Sequence, residues 1–378
     1  MAGCTTHGPY VQKDLPRHAS VRRVTFTKQV GFHAELRKRV HAYFEDNGLA
    51  MNANIRMIAK SVAIVLLVGV SYSSMLLSAH STVLTMLSAV ALAQGIVLVG
   101  FNIMHDANHG SYSSNATANR ILGFTLDLVG GSSLLWRSKH NLLHHTYTNC
   151  HEVDDDLEVP AILRFSPGQP WRPCHRYQHW YAFPVYCFMT LLWVLKSDFQ
   201  KFFTGKIGEF DIPQPSKTDT VLFFSARLFY FCYMLIVPMF FHPIVHVLLL
   251  FVLIHAVVGL TLAVVFQLAH VVEESAFIPT EQGDNDIEQE WAIHQIETTS
   301  NFAPNSKLAA WYCGGLNFQI EHHLFPKICH IHYPAISKIV EKTCNEYGVT
   351  YVSYPTFRQA LGAHHSYLRK LGREAVIA

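Results

Sequence analysis

The chain has 378 residues and a formal net charge of +2, with 50% hydrophobic and only 15% charged residues. Soluble domains carry about 25% charged residues, so the deficit argues against an ordinary soluble domain. Its placement is the informative part, because no Asp, Glu, Lys or Arg occurs from Ser61 to His105 or from Leu228 to Val272, each stretch being 45 residues long. A charge in hydrocarbon costs a few kcal/mol or more, and one crossing needs about 20 apolar residues. Each stretch therefore fits two crossings and a tight turn.

In chain order, residues 1–23 read as a flexible lead. No secretory signal peptide is visible, since the first 57 residues are mostly polar and the first apolar run comes late. Val24 to Asn47 reads as an amphipathic helix, with Phe26, Val30, Phe32, Leu36, Val40, Ala42 and Tyr43 among basic residues. It could lie on the membrane surface or pack on the polar side of the protein itself; region 24–57 is expected on the cytosolic side. Spans are expected over 58–77, 83–104, 222–241 and 243–267, with Lys60 near the start of the first and able to snorkel. Residues 121–135, with Asp127 and three glycines, read as a buried or re-entrant helix. Tyr177–Leu195 carries Pro184 mid-way and reads as an interfacial helix or a span. The remaining 110 or so residues are mostly polar, and a tail is expected over 371–378. A single membrane-embedded body is expected to run over 58–370.

Basic residues before the first span, Arg56 included, place that end in the cytoplasm. If 121–197 makes no net crossing, the chain returns to the same side at His105 and at His270. All histidine clusters then share one face. The expected fold is an all-α, multi-pass membrane protein with about four spans and a cytosolic helical cap.

The chain holds 24 histidines, and its cysteines, Cys4, Cys150, Cys174, Cys187, Cys232, Cys313, Cys329 and Cys344, form no C-x-x-C pair. Four clusters stand out. His105 and His109 are four apart, so one helix face presents both. His140 and His144 repeat that spacing and His145 adjoins them. Gln319-Ile320-Glu321-His322-His323 is the third cluster, and His270 ends the fourth span. Singly, an H-x-x-x-H pair is more often structural than metal-binding. Together the eight histidines supply two metals with about four nitrogens each. Imidazole suits zinc, copper, iron and nickel. Structural zinc needs fewer histidines, and haem needs one or two. Two imidazole-bound irons beside a lipid phase suit O₂ activation, with apolar walls holding one carbon of a flexible chain in place.

Asp106, Glu321, Asp127 and the run Glu152 to Glu158 are candidates to orient ligand histidines through their outer ring N–H groups, although an acidic run is more often a solvated loop. Gln319 is a candidate weak ligand or orienting group. Trp136, Arg137 and Lys139 could meet a lipid head group. His151, His294, His330 and His332 read as polar core or surface residues. A metal transporter would need ionisable groups along the spans. The long gaps offer His80, His242, His246 and His255, which form no spaced pair across both.

H-x-x-x-H, H-x-x-x-H-H and Q-x-x-H-H together resemble the three histidine boxes of the membrane fatty acid desaturase family, and the glutamine resembles its front-end subgroup. Trp136 to Asn149 (WRSKHNLLHHTYTN), Gly314 to Pro326 (GGLNFQIEHHLFP) and Ile328 to Pro334 (ICHIHYP) resemble bacterial and cyanobacterial delta-6 acyl-lipid desaturases, and the match runs from about residue 24 to 370. The resemblance implies that His105, His109, His140, His144, His145, His322 and His323 hold two non-haem iron ions, with His270 completing the set. It implies insertion of a cis double bond at delta-6 of a linoleoyl-type chain, on an acyl-lipid or acyl-CoA. The same centre could instead serve a delta-5, delta-8 or sphingolipid desaturase or a hydroxylase. No H-P-G-G haem motif is present, so a separate donor is expected, ferredoxin or cytochrome b5 with its reductase. The expected location is a bacterial inner or thylakoid-like membrane with the site on the cytoplasmic side. No nucleic-acid partner is expected.

Overall fold

The computed structural model describes residues 25–157, 159–278 and 286–373. The expected N-terminal lead, Glu158 and residues 374–378 of the expected tail lie outside the described residues. Residues 371–373 are the last turn of a helix rather than a tail.

Short strand β1 (Thr25–Phe26) precedes α1 (Phe32–Asp46). Phe32, Leu36, Val40 and Phe44 of α1 fall one helical turn apart and are buried, the spacing that makes a single apolar stripe. Glu290 Oε2 and Oε1 accept from the backbone N–H groups of Val30 (2.9 Å) and His33 (2.7 Å) and so satisfy donors at the start of α1. The stripe packs on the polar side of the protein, the second of its two expected placements.

Among the described residues four helices are long and apolar enough to cross a membrane. The first is α2 (Ile55–Leu77). Next, α3 (Thr82–Val99) runs through a π-helical turn, Gly100–Met104, into α4 (His105–His109). Three short helices follow, α5 (Ala116–Gly123), α6 (Thr125–Leu128) and α7 (Ser133–Trp136), and the last continues as a π-helical stretch, Arg137–His144. The expected re-entrant helix at 121–135 is thus broken into pieces under the spans. Next come α8 (Gln178–Tyr186), α9 (Met189–Leu192) and α10 (Asp198–Thr204). Here Pro173–Tyr186 and Met189–Thr204 form a pair bent by 66°, with Pro184 inside the helix before the break, where it removes a backbone donor. A hairpin, β2 (Lys206–Ile207) and β3 (Phe210–Asp211), leads to the third spanning segment. That segment is α11 (Lys217–Phe231) and its continuation to Phe240, and the fourth is α12 (Ile244–His270).

The polar end is completed by β4 (Asp286–Ile287), α13 (Trp291–Glu297), β5 (Asn301–Phe302), α14 (Lys307–Tyr312), α15 (Gln319–Leu324), α16 (Tyr333–Tyr347), β6 (Ser353–Tyr354) and α17 (Phe357–Arg373). β1 pairs in parallel with β4 and β5 with β6, so these two-residue strands pin distant segments rather than build a layer. One apolar core fills the space between α3, α11 and α12, and a second joins α1, α13, α15 and α16. On α2, Val62, Val65, Leu66 and Val70 face outward. Such a face suits hydrocarbon, since a helix satisfies its own backbone there. Lys60 lies over the Trp311 ring, 4.9 Å from its centre.

Arg227 of α11 is ion-paired with Asp198 of α10, both side chains 4% exposed, and Asp198 also accepts from Trp193 Nε1 at 2.8 Å. A buried charge left without its partner costs about 3–5 kcal/mol. Arg227→Ala is therefore expected to lower the thermal midpoint in detergent markedly, whereas Arg227→Met combined with Asp198→Asn recovers most of the loss. Equal midpoints for the single and double variants would remove the pair from the list of stabilising contacts.

Candidate metal centre

The end of the second span, the π-helical stretch after α7, the end of α12 and α15 meet at one point. They bring His105, His109, His140, His144, His145, His270, His322 and His323 together, each 7% exposed or less. His105, His109, His140 and His322 place one ring nitrogen each within 4.8 Å of one another, and so do His144, His270 and His323. His145 stands between the two groups, its ring centre 4.8 Å from His109, 4.6 Å from His322 and 4.4 Å from His323.

The local backbone explains this density. In an ordinary helix only positions three or four apart share a face. The wider π-helical turn ending at His144 also brings i and i+5 together. His145 N–H donates to His140 O (3.1 Å), and the two Nε2 atoms lie 3.2 Å apart. Such turns recur at functional sites. Gly314 lets the third cluster come close: its φ is +57°, and a Cβ there would lie 2.2 Å from Phe101 O on the second span.

The chemistry of the rings fits metal ions. His109, His144, His145, His270, His322 and His323 each carry a buried ring nitrogen without a hydrogen-bond partner. An unsatisfied buried polar atom costs about 1–3 kcal/mol, and a cluster of them facing one another is what a metal repays. Burial and repulsion from neighbouring imidazoles hold His145, His322 and His323 well below the ordinary histidine pKa, and burial pushes His140 down to about 4. These rings are neutral at pH 7, the form that ligates.

The opposite nitrogens are anchored. Burial lowers His144, but the Asp154 carboxylate outweighs it and the net shift is upward. Asp154 Oδ1 and Oδ2 lie 3.1 and 3.0 Å from His144 Nδ1. His323 Nδ1 lies 2.8 Å from Gln295 Oε1 and 3.2 Å from Thr148 Oγ1, and His322 Nδ1 lies 3.3 Å from the Tyr333 hydroxyl. Asp154 belongs to the acidic run singled out in the sequence. Thr148 and Tyr333 lie within the family-like stretches Trp136 to Asn149 and Ile328 to Pro334 without being singled out there, and Gln295 carried no local signal.

The other expected orienting groups are placed differently. Asp106 Oδ2 accepts from His330 Nδ1 (2.8 Å) and Cys329 Sγ (3.0 Å). Glu321 accepts from Asn301 Nδ2 and the Tyr351 hydroxyl, both at 2.8 Å, and burial raises it to about 7. Asp127 accepts from the Ser133 N–H at 3.1 Å. Among the described residues, none of these three is hydrogen-bonded to a ring of the eight histidines. Gln319, 2% exposed, lines the cavity described below. Trp136 stacks on His140 at 4.3 Å rather than reaching outward, Arg137 donates to Asn108 Oδ1 (3.2 Å), and Lys139 pairs with Asp156 at 2.5 Å. His294 sits 3.9 Å from the Cys150 sulfur, and His332 lies 3.4 Å from Asn52 O. His151 lies against Gly168.

A cavity of about 430 Å³ opens beside His105 and His140 and runs between α12 and the bent helix pair, with mostly apolar walls. The fatty acid desaturase family model matches residues 81–355. The sn-1 linoleoyl-lipid 6-desaturase of Arthrospira platensis is 38% identical over 93% of this chain and 96% of its own length. The enzyme of the same name from Synechocystis sp. is 37% identical over 94% and 99%. The acyl-lipid (8-3)-desaturase of Physcomitrium patens is 39% identical over 90% of this chain and 72% of its own. The matched segment holds all eight histidines and the walls of the cavity beside them, and on that ground the chain belongs to the fatty acid desaturase family of membrane oxidoreductases.

Proposed function

We propose that this desaturase inserts a cis double bond at the delta-6 position of linoleoyl-type chains carried on membrane lipids. One observation supports it above others: two adjoining groups of buried imidazoles stand at the side of a long apolar cavity. Two relatives covered over 96% and 99% of their own length carry delta-6 linoleoyl-lipid names.

In this reading His105, His109, His140 and His322 hold one iron and His144, His270 and His323 the other, with His145 between them. Bound iron supplies the oxidising chemistry, in which O₂, two electrons and two protons take one hydrogen from each of two neighbouring methylenes and leave as two waters. The chain's own residues supply the rest. The apolar walls exclude water and hold the methylenes beside His105 and His140. Asp154, Gln295 and Tyr333 fix the ring orientations. Gln319, on the cavity wall, is a weak ligand or an orienting group.

Electrons come from a separate donor, ferredoxin or cytochrome b5. The centre faces the cytoplasmic side of a bacterial inner or thylakoid-like membrane, a side that the positive charge before α2 supports. That arrangement requires 121–197 to make no net crossing, which the convergence of all eight histidines supports. Residues 58–370 act as one unit, with α1 of the 24–57 region packed on its polar end.

Expression with a ferredoxin in a host lacking polyunsaturated fats, fed linoleic acid, is the test. Mass spectrometry of derivatised lipids is expected to place the new bond at carbon 6. A bond elsewhere would keep the chemistry and overturn the position, and an added hydroxyl would move the enzyme to hydroxylation.

A further inference from the structure

Near the middle of α12, His255 is 5% exposed and lies far from the histidine centre in sequence and along the helix. An ionisable side chain at that depth in a span calls for a role. Thr190 Oγ1 donates to His255 O at 2.9 Å, so its oxygen accepts from His255 Nδ1–H at 3.1 Å. His255 Nε2 is then the acceptor, and the Tyr230 hydroxyl donates to it at 2.8 Å. Three polar groups from α9, α11 and α12 thus form one closed, fully satisfied chain of hydrogen bonds. Tyr230 is held from behind as well. A Cβ on Gly130 (φ +100°) would lie 2.8 Å from its ring.

All three residues line the cavity that starts at His105 and His140, and toward the N-terminus of α12 its lining ends at Ile254 and His255. We propose that the Tyr230–His255–Thr190 cluster is the floor of the acyl cavity and sets how many carbons fit beyond the reacting pair. Phe266, whose ring centre lies 5.2 Å from His144, is 11 residues from His255 (266 − 255). At about 1.5 Å per residue the floor is about 16 Å from the centre. Carbons 7 to 18 of an 18-carbon chain are joined by eleven bonds, each of about 1.5 Å advancing about 1.25 Å, so they need about 14 Å when extended, and the terminal methyl adds about 2 Å of van der Waals radius. The floor therefore selects 18-carbon chains. A shorter chain leaves apolar wall uncovered, and a longer one must displace three hydrogen-bonded groups. This length argument rests on the delta-6 reading, whereas the floor itself rests on the cavity.

The test offers the full-length enzyme cis-9 monoenoic chains of 16, 18 and 20 carbons, which share a carboxyl side and differ only beyond the double bond. His255→Ala opens the floor. The ratio of 20- to 18-carbon product is expected to rise about tenfold, the scale of one to two methylenes in an apolar pocket. Ile96→Phe, which adds bulk at the deep end of the α3 wall, is expected to shift preference toward 16 carbons. Thermal stabilisation of the purified protein by the same free acids reads the floor without turnover. Its maximum should sit at 18 carbons in the native chain, at 20 in His255→Ala and at 16 in Ile96→Phe. If the double bond forms at another carbon while these maxima still move, the delta-6 reading fails and the floor stands. Maxima and product ratios unchanged within twofold in both variants would overturn the floor.

Discussion

His144→Ala is expected to abolish desaturation and to halve the iron bound per chain. Its nitrogen belongs to the group with His270 and His323, and His105, His109, His140 and His322 form a separate group within the same spacing. Removing one member of the set of three leaves two imidazoles, too few to retain an ion against solvent. The set of four is left whole. Altering a partner that merely orients a ligand costs about 10–100-fold, so deleting the ligand itself should cost more than about a hundredfold in turnover. Iron per chain measured on purified protein, alongside product formed from linoleate, checks both halves. A variant with one iron where the native chain has two, and with no product, supports the assignment of two adjacent ions. A variant that keeps all its metal and more than a tenth of its activity would sink it. His109→Ala leaves three imidazoles in the other group, as many as His144, His270 and His323 supply, and should therefore keep more of its iron than His144→Ala does.

The histidine spacing made the site legible in the sequence. It did not show how the rings meet. Spacing of four implied a shared helix face, which holds for His105 and His109 on α4. His145 would have pointed away from His140 on the same rule. The π-helical stretch Arg137–His144 turns it inward, and neither the composition nor the apolar period marks such a stretch. The spans were legible for a simpler reason, since charge-free runs of that length have few other physical explanations. The bent pair around residues 173–204 was harder, because the aromatic, proline-bearing stretch Tyr177–Leu195 suits an interfacial helix and a span equally. Asp106 and Glu321 looked like orienting carboxylates because they adjoin ligand candidates in sequence. Adjacent helix positions face different ways, however, and each carboxylate turns to its own polar partners, His330 and Cys329 for one and Asn301 and Tyr351 for the other. Gln295 and Thr148 reach His323 across 28 and 175 residues of chain. Only the folded backbone establishes such contacts.

Asp154→Asn is expected to lower activity about 10–100-fold and to loosen one ion only. The carboxylate meets three donors at once. His144 Nδ1 lies against both oxygens, Oδ2 accepts from the Asn149 N–H at 3.0 Å, and Oδ1 accepts from the Asp156 N–H at 3.0 Å. An amide keeps one acceptor oxygen and turns the other position into a donor. Either a backbone N–H or the imidazole N–H must then face an NH₂ group. His144 loses the negative partner that makes its other nitrogen a stronger ligand. Asn149, beside this contact, ties the loop to His270 O and Thr298 O, so disturbance also reaches the backbone of a second member of the same group. The set built on His105, His109, His140 and His322 has no hydrogen bond to Asp154 and should hold its ion. Timed exposure to a chelator separates the two cases: Asp154→Asn should release half its iron quickly and the rest at the native rate. Asp155→Asn is the control, since Asp155 faces Lys139 and Lys201 rather than an imidazole, and it should release iron as the native chain does. Native release from Asp154→Asn, with turnover within twofold, would mean that ring orientation by Asp154 contributes nothing to the centre.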